Sequence, residues 1–376
     1  MKKIFALCLL VLLTGCAVPK IAPTKHLVIT WEAMPGWTTD NHAAAIPAFL
    51  RSCEKIREQN KWRHICAAAA ALPKNVDDDT ARLFFEKYFM PQQLLQKDNS
   101  EIGLVTGYYE PLLQGALQPS ARYQYPIYAR PDDLLTIELG VAYPSLQKRK
   151  LRGRLANGKI IPYHSRADIN GESNPLAGHE LLWVDDKVAL FFLHIQGSGL
   201  VQLPNGDIIG VGYTDQNGHV YLSIGRLLAQ RGDMELEDVN LFSIRQWLEQ
   251  NPQRADELLH SNPSYIFFTR RDAVAEGPIG SLGVTLTPER SLAVDNEKIT
   301  LGAPVWLDTV MPDDGKTPLQ QLMMAQDTGG AINGDIRADV FWGRGTRAEK
   351  MAGLMKTHGR LYVLIPKADL NINKPE

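Results

Sequence analysis

Apolar and polar residues alternate in two different rhythms along the chain. Three stretches in the N-terminal part carry apolar residues at intervals of three and four, which predicts helices over about 47–56, 62–72 and 78–90. After Gly103 the rhythm changes to short β-branched and aromatic runs separated by turn signals such as Asn157-Gly158 and Asn217-Gly218. This texture predicts a β-rich region built from hairpins.

Helical spacing returns in two later stretches, 222–230 and 243–250, and strand-like texture then continues to about Trp342. Thr346 and Glu349 have the spacing of a capping box, which predicts a helix that ends before a final strand over 360–365. The pattern as a whole predicts a mainly β protein with flanking helices.

The first residues carry a different signal. Lys2 and Lys3 precede an apolar run over 4–13, which is shorter than the ~20 residues that a membrane span needs, so we interpret it as a secretory signal. The step Leu-Thr-Gly into Cys16 resembles a bacterial lipoprotein signal, in which the cysteine is lipidated; the alternative is a chance cysteine after an ordinary signal. By resemblance to lipoprotein sorting rules, Ala17 favours the periplasmic face of the outer membrane.

Composition adds mainly exclusions. With 44% hydrophobic residues and 40 Lys plus Arg against 42 Asp plus Glu, the chain can bury a core and carries a formal net charge of −2. Intrinsic disorder and coiled coil are excluded, and a nucleic-acid partner is not expected. The nine histidines are scattered and neither CxxC nor HExxH occurs, so we expect no metal site and no cofactor.

Two cysteines lie in the predicted helices. Cys53 falls in the first helix and Cys66 in the second, and two packed helices can bring cysteines within bridging distance. Export to an oxidising compartment therefore predicts a disulfide between them, the alternative being two reduced core thiols.

Several segments place polar side chains and glycines beside apolar strand-like runs, a pattern that ordinary core strands do not need. These segments are Thr106 to Pro111, His194 to Gly199, Tyr221 to Gly225 and Ala325 to Gly343. Three acids, Asp308, Asp327 and Asp339, lie within a short stretch of chain, two of them among glycines. Carboxylates on such strand ends can meet at a polymer, and Tyr, Trp and Gln suit a sugar. The alternative is that these acids are turn residues and surface caps.

The motifs GYYEP, HIQGSG, GHVYLSIGRLL, NPSYIFF and AQDTGGAI-NG-x-x-RADVFWG-x-G occur here in the order found in the membrane-bound lytic murein transglycosylase A family, which the chain resembles from about residue 45 to its C-terminus. The resemblance implies a double-psi β-barrel domain interrupted by a second β-barrel domain, with a glycan in the groove between them. The expected division is a signal peptide over 1–15, a tether over 16–40, a catalytic domain over 41–115 and 241–376, and an inserted barrel over 116–240.

The resemblance also implies an activity: cleavage of the β-1,4 bond between N-acetylmuramic acid and N-acetylglucosamine in peptidoglycan, leaving 1,6-anhydromuramoyl ends. The principal acid/base aspartate of the family falls on Asp339, and Asp327 matches its second aspartate. The expected substrate-binding residues are Thr106, Gly107, Tyr108, Tyr109, Gln196, Gly197, Ser198, Gly199, Tyr221, Ser223 and Asp308. For the aromatic and turn residues among them, burial in the core or a turn is the alternative role.

One acid can suffice for this chemistry. A hydrolase needs a second carboxylate as nucleophile or base, whereas in the intramolecular reaction the 6-hydroxyl of the sugar attacks. Asp339 can then protonate the leaving oxygen and afterwards take the hydroxyl proton. To act as an acid near neutral pH it needs a raised pKa, which Val340, Phe341 and the charge of Asp327 can provide.

Two other functions are compatible with parts of the sequence. Asp327-Thr328-Gly329 is the triplet of aspartic proteases, but it occurs once, so a protease would have to be a homodimer. A non-catalytic, lipid-anchored peptidoglycan-binding protein would keep Tyr108 and Gln196 without needing a functional acid. The presence of both Asp339 and Asp327 favours the enzyme.

Overall fold

The computed structural model describes residues 25–143, 146, 151–271 and 277–367. The predicted signal peptide, Cys16 and the start of the predicted tether lie outside the described residues. Among the residues described, no helix has the length and apolar character needed to cross a membrane.

The larger sheet has eight strands within the described part of the chain. They are β1 (Lys25–Val28), β2 (Phe89–Leu95), β3 (Gly103–Glu110), β13 (Ser291–Val294), β14 (Pro304–Val310), β15 (Pro318–Asp327), β16 (Arg337–Arg344) and β17 (Lys356–Pro366). The strand order is β1-β2-β17-β14-β15-β13-β16-β3, and β17 also pairs with β3. This last pairing closes a ring of six strands, β17-β14-β15-β13-β16-β3, so the sheet forms a barrel with β1 and β2 attached outside the ring.

The second sheet has six strands, in the order β12-β11-β10-β4-β9-β5. These are β4 (Leu112–Ala116), β5 (Tyr125–Tyr128), β9 (Glu180–Val184), β10 (Ser198–Gln202), β11 (Ile208–Gln216) and β12 (Ile266–Arg271). A small third sheet joins β6 (Leu135–Ile137), β7 (Leu151–Ala156) and β8 (Lys159–Ile161). The protein is therefore mainly β with several helices, as its sequence pattern predicts.

The described helices are α1 (Ile46–Ile56), α2 (Asn60–Ala70), α3 (Asp78–Tyr88), α4 (Arg166–Ile169), α5 (Lys187–Gln196), α6 (Ile224–Arg231), α7 (Leu241–Gln250), α8 (Pro252–His260) and α9 (Gly345–Leu354). The apolar stripe of α1 packs into the same core as the barrel strands, with Phe49 fully buried among aromatic rings. A disulfide joins Cys53 of α1 to Cys66 of α2, with 5.5 Å between their Cα atoms.

The tether predicted over 16–40 is wrong for its described part. Strand β1 pairs with β2, and Trp37 is only 2% exposed, packed edge-on against Trp306 of the barrel. The Trp37 indole N–H also donates to Glu86 Oε1 at 2.9 Å. The proline-rich composition concealed this packing, because short turns and 3₁₀ helices show no long periodicity.

Two other expectations need correction. Helix α5 was not predicted, because its sequence is apolar on nearly every side and lacks an amphipathic stripe; the structure buries Leu190 to His194 in succession. Helix α9 begins at Gly345 without a side-chain cap, and Glu349 accepts a hydrogen bond from the Tyr109 hydroxyl at 3.0 Å instead of closing the predicted capping box.

The predicted boundary at residues 240 and 241 does not separate the two large sheets. Strand β12 lies beyond this boundary, yet it pairs antiparallel with β11 over most of its length. The strand texture after Tyr265 therefore begins in the second sheet and enters the barrel only with β13. Sequence texture alone does not distinguish strands of one sheet from strands of another.

Candidate active site

The two predicted catalytic aspartates lie on strands that flank β13. Ala293 of β13 is the register partner of Asp339 on β16 and of Asp327 on β15. Because neighbouring strands are about 4.8 Å apart, the two aspartate Cα atoms are separated by roughly 10 Å across the barrel wall. The closed barrel thus holds two carboxyl groups of one sequence segment at a fixed, short separation.

Asp339 is a partly buried carboxyl with a short hydrogen bond. The Thr106 hydroxyl, on the paired strand β3, donates to Asp339 Oδ1 at 2.5 Å. The pKa of Asp339 is raised to about 6: burial is the main cause and the charge of Asp327 adds to it, while the Arg337 guanidinium and the Thr106 hydroxyl oppose the rise. A group with this pKa can both give up and take back a proton near neutral pH.

Asp327 has a different set of partners. Its Oδ1 accepts from the Ser281 N–H at 2.9 Å, the Ser281 hydroxyl at 2.8 Å and the Thr328 N–H at 2.9 Å, and its Oδ2 accepts from the Tyr108 hydroxyl at 2.9 Å. Burial raises the pKa of Asp327, and these four donors oppose the rise because they favour the charged form. Asp327 is therefore a firmly held carboxylate.

Tyr108 contacts Asp327 and packs against the strand that carries Asp339. Its ring packs against Phe341 with 5.2 Å between ring centroids, and its hydroxyl reaches Asp327. Burial raises the pKa of Tyr108 well above its usual range, and the charges of Asp327 and Asp339 add to the effect, so the phenol stays a hydrogen-bond donor. Tyr108 belongs to a small apolar cluster on this side of the barrel, together with Leu286, Ala293, Ile332 and Phe341.

The end of β3 connects the barrel to the second sheet. The Tyr109 N–H donates to Gln196 Oε1, at the end of α5, at 3.0 Å. Three residues after Tyr109 the chain enters β4, and the Pro111 carbonyl accepts from the Leu200 N–H of β10 at 2.8 Å. The motifs around Tyr109 and Gln196, far apart in sequence, therefore meet where the two sheets join.

Backbone conformation and close packing explain why glycine occupies several positions of these motifs. Gly197 ends α5 with φ +77°, a left-handed conformation that glycine adopts without strain. A Cβ on Gly107 would lie 2.6 Å from the Trp342 indole nitrogen, and one on Gly199 would lie 2.5 Å from Leu193. These positions need no ligand to explain them.

The remaining predicted residues lie on the side of the second sheet. Ser198 opens β10 directly after Gly197. The Ser223 hydroxyl accepts from the Arg226 N–H and caps α6, while Tyr221 is partly buried near Arg166. Among the described residues, the hydrogen bonds recorded for Ser223 and Tyr221 do not reach either aspartate.

The arrangement suits acid/base chemistry. Among the residues that the structure describes, no group of three His, Cys, Asp or Glu side chains is arranged to hold a metal ion. Asp339 combines a pKa near 6 with partial exposure, so it can exchange a proton with a bound molecule. Asp327 supplies a neighbouring charge.

The chain is similar to known proteins over most of its described length. Residues 104–269 match a family model described as the MltA specific insert domain, and residues 290–365 match the 3D domain. A membrane-bound lytic murein transglycosylase A from Vibrio cholerae is 30% identical over 267 residues, which cover 69% of this chain and 65% of that protein.

Two solved structures match this chain over most of their length. MltA from Neisseria gonorrhoeae is 37% identical, with 91% of this chain and 92% of that chain covered and a TM-score of 0.76. A membrane-bound lytic murein transglycosylase from Agrobacterium tumefaciens is 30% identical, with 93% and 99% covered and a TM-score of 0.83. This chain belongs to the membrane-bound lytic murein transglycosylase A family. It spans less than two thirds of the length of the Vibrio cholerae relative that it matches.

In this member of the lytic murein transglycosylase A family, Asp308 does not join the other two acids. It pairs in register with Gln320, at the opposite end of β15 from Asp327, which is about 23 Å along a strand. Its Oδ1 accepts from the Gln320 amide at 2.8 Å, and its Oδ2 faces the Arg360 guanidinium at 3.4 Å. Asp308 therefore lies apart from Asp327 and Asp339 although it is close to them in sequence, and its expected contact with the substrate stays a prediction.

The prediction also missed residues that touch the two acids. Ser281 and Thr328 hold Asp327, and Arg337 donates to Thr106, the residue that holds Asp339. Thr106 was expected to bind substrate, and the structure gives its hydroxyl to Asp339. Arg337 carried a usable signal, because residues two apart on a strand share a face.

A buried carboxylate in this lytic murein transglycosylase A fold fixes the junction of the two sheets. Glu110, at the end of β3, accepts from Arg271 of β12 and from Arg344 of β16, the latter at 2.5 Å. Its side chain is fully buried, so two cations compensate one buried charge. The GYYEP motif thus combines a residue that touches Asp327 with one that ties the sheets together.

Proposed function

We propose that this protein is a peptidoglycan lytic transglycosylase. It cleaves the β-1,4 bond between N-acetylmuramic acid and N-acetylglucosamine and leaves a 1,6-anhydromuramoyl end. Asp339 is the single acid and base, and Asp327 is the supporting charge. The family of the chain supports the reaction class, and the contrast between the two carboxyl groups supports the assignment of roles.

One observation carries the single-acid mechanism. Four donors bond to Asp327, three at Oδ1 and the Tyr108 hydroxyl at Oδ2. They stabilise its anion and so weaken it as a base, although one lone-pair position of Oδ2 stays open. Asp327 is therefore poorly suited to activate a water molecule, as an inverting hydrolase would require. Asp339 has a pKa of about 6 and suits proton transfer.

The reaction then proceeds with balanced proton transfers. Asp339 donates its proton to the glycosidic oxygen as the bond to C1 of the muramic acid breaks. The 6-hydroxyl of the same sugar attacks C1, and Asp339 takes the hydroxyl proton, which restores the acid. The negative charge of Asp327 stabilises the positive charge that develops at C1 in the transition state.

The glycan binds where the barrel meets the second sheet, close to Tyr108, Tyr109, Gln196 and Ser198, with Tyr221 further along the second sheet. The crystal structure of Escherichia coli MltA, a fold neighbour at 23% identity with a TM-score of 0.68, contains chitohexaose, an oligomer of β-1,4-linked sugars. The partly exposed side chains of Gln196 and Ser198 at this junction offer polar groups to such a ligand, whereas the rings of Tyr108 and Tyr109 are buried.

We further propose that the six-stranded sheet, from β4 to β12, forms the inserted domain, and that the closed barrel forms the catalytic domain. The protein acts at the periplasmic face of the outer membrane, held by a lipid on Cys16. The lipoprotein-like step into Cys16 supports this location. Replacing Cys16 with Ser should leave the protein unprocessed or release it from the membrane fraction, and a processed variant that stays in that fraction would contradict the anchor.

The activity is tested by digesting purified sacculi with the full chain and weighing the released muropeptides. We expect products one water lighter than reducing-end muropeptides, and far less product from Asp339→Asn under the same conditions. Reducing-end products would show that water is the nucleophile. Binding to sacculi without release would support a non-catalytic binder, and cut stem peptides without cut glycan would support a protease.

A further inference from the structure

We propose that Arg337 is a positioning residue that acts through Thr106 to fix which oxygen of Asp339 carries the catalytic proton. The proposal rests on the proposed function and extends it to two side chains that do not need to touch the substrate. Arg337 lies two residues before Asp339 on β16, and Thr106 is the register partner of Asp339 on β3.

The three side chains form a directed chain of hydrogen bonds. Arg337 Nη2 donates to Thr106 Oγ1 at 2.9 Å, and the Thr106 hydroxyl donates to Asp339 Oδ1 at 2.5 Å. A hydroxyl has one hydrogen and rotates to suit its partners. The guanidinium can only donate, so it takes a lone pair of Thr106 and turns the hydroxyl hydrogen towards Asp339.

This direction has a chemical consequence. Because Oδ1 accepts from Thr106, the acidic proton of Asp339 resides on Oδ2. Oδ2 is therefore the oxygen that donates to the glycosidic bond and later takes the 6-hydroxyl proton. A carboxyl free to exchange its two oxygens would spend part of its time with the proton misdirected, which lowers the rate without weakening binding.

The charged and titratable groups around Asp339 lie on its own strand and on two others, β15 and β3. Arg337 lies on the same strand, Asp327 on β15, and Tyr108 on β3, while β13 contributes the uncharged Ala293. Lys356 of β17 pairs in register with Thr106, but its ammonium donates to the Leu236 carbonyl at 2.6 Å. Arg337 is thus the cation that acts on Asp339, against the anion of Asp327.

Arg337 could instead serve the fold alone, since its Nη1 donates to the Ala338 carbonyl at 2.6 Å and to the Leu104 carbonyl at 3.4 Å. A fold role predicts lower stability with an unchanged pH profile. The positioning role predicts a moved pH profile, because removing a nearby cation raises the pKa of a carboxyl group. The two roles therefore differ in a measurable quantity other than the rate.

The test compares five variants of the full chain with wild type. Arg337→Met removes the positive charge, and Arg337→Lys keeps the charge but not the planar guanidinium. Thr106→Val removes the hydroxyl group, and Thr106→Ser keeps it. Arg122→Met is the matched control, because Arg122 also pairs with a carboxylate, Asp185, on the second-sheet side of the molecule. Turnover on sacculi is followed from pH 4 to 9.

Wild-type turnover should fall as the pH rises through the pKa of Asp339. In Arg337→Met we expect this high-pH limb of the pH–rate profile to move up by about one pH unit. We also expect kcat to fall roughly tenfold with KM unchanged. Arg337→Lys should keep the limb in place and lose rate. Thr106→Val should lose rate and shift the limb upwards. Thr106→Ser keeps the hydroxyl and should keep the limb at its wild-type pH, and Arg122→Met should match wild type.

A readout without turnover separates this proposal from the function. In protein labelled with ¹³C at the aspartate carboxyl carbons, the Asp339 signal is assigned as the one missing from Asp339→Asn, and its titration should move upwards in Arg337→Met and in Thr106→Val. If the titration of Asp339 and the pH dependence of turnover stay as in wild type in both variants, the positioning role is overturned. If wild type releases no anhydromuropeptides while the titrations move, the proposed function fails and the link from Arg337 to Asp339 stands.

Discussion

Two ends of one barrel carry an aspartate beside an arginine, and they are built differently. At one end Asp308 faces Arg360 directly and also accepts from Gln320. At the other end Arg337 reaches Asp339 through the Thr106 hydroxyl. The first arrangement is an ion pair at the barrel surface, and the second keeps the cation one side chain away.

The difference shows how a barrel separates structural from reactive carboxyl groups. An arginine in direct contact with Asp339 would lower its pKa more strongly and make it a poorer acid at neutral pH. With Thr106 interposed, the cation orients Asp339, and burial still raises the pKa of that group to about 6. The intervening hydroxyl therefore allows orientation without neutralising the acid.

The largest effect expected from this comparison is on turnover. Asp339→Asn keeps the shape of the side chain but cannot exchange a proton, so turnover on sacculi should fall by about 10²- to 10⁴-fold, the range of general acid/base catalysis. Sedimentation with sacculi should show unchanged binding. The matched change at the other end, Asp308→Asn, should stay within about twofold of wild type, because Asp308 donates nothing to the reaction.

These two variants can break the comparison directly. Near-normal turnover in Asp339→Asn would remove Asp339 from the mechanism. A large loss in Asp308→Asn, with the protein still folded by circular dichroism, would mean that the glycan extends to the far end of the barrel.

The next effect is on the free energy of unfolding. Removing the carboxyl group of Asp339 should increase it, whereas removing an ion-paired carboxyl group decreases it. Burial raises the folded-state pKa of Asp339 from 3.8 to about 6, so ionising this group destabilises the fold. Two pKa units correspond to at most about 3 kcal/mol. Asp339→Asn should therefore be more stable than wild type above pH ~6, in denaturant unfolding.

The pH dependence supplies the check on that prediction. The destabilisation of wild type begins as the pH rises above about 4 and is complete above about 6, so the two proteins should be equally stable at pH 3.5. An Asn variant that is less stable than wild type at pH 7.5 would show that the native carboxyl group is not strained.

How much of this could be predicted differs between the two ends. The Asp327 and Asp339 pair followed from family motifs, and β13 brings them together through a register that no short pattern reveals. Asp308 lies apart from these two acids because residues near in sequence can lie at opposite ends of a long strand such as β15. Amphipathic helices such as α1 were predicted from their spacing, whereas the apolar α5 gave no spacing to detect.

A smaller effect is expected from the supporting charge. Asp327→Asn keeps an oxygen for the Ser281 and Thr328 donors but loses the negative charge and the acceptor for the Tyr108 hydroxyl. Turnover should fall about tenfold, less than for Asp339→Asn. Removing this anion also lowers the pKa of Asp339, so the fall of activity at high pH should start at a lower pH. The shift is opposite in direction to the one expected for Arg337→Met, and a common direction for both would contradict the charge assignments.

The smallest effect belongs to the ion pair at the far end. Asp308→Asn keeps the acceptor for Gln320 and removes the charge that faces Arg360. The Asp308 side chain is 11% exposed, but that of Arg360 is 40% exposed, so solvent reaches the pair. Exposed pairs contribute only about 0.2–1 kcal/mol, so the loss of unfolding free energy should be at most about 1 kcal/mol. Because salt screens exposed pairs, the difference from wild type should shrink between 0.05 and 1 M NaCl. The Debye length is roughly 14 Å at the lower concentration and about 3 Å at the higher one. A loss well above this range that persists at high salt would mean that the pair is effectively buried, and the contrast between the two ends of the barrel would then rest on Thr106 alone.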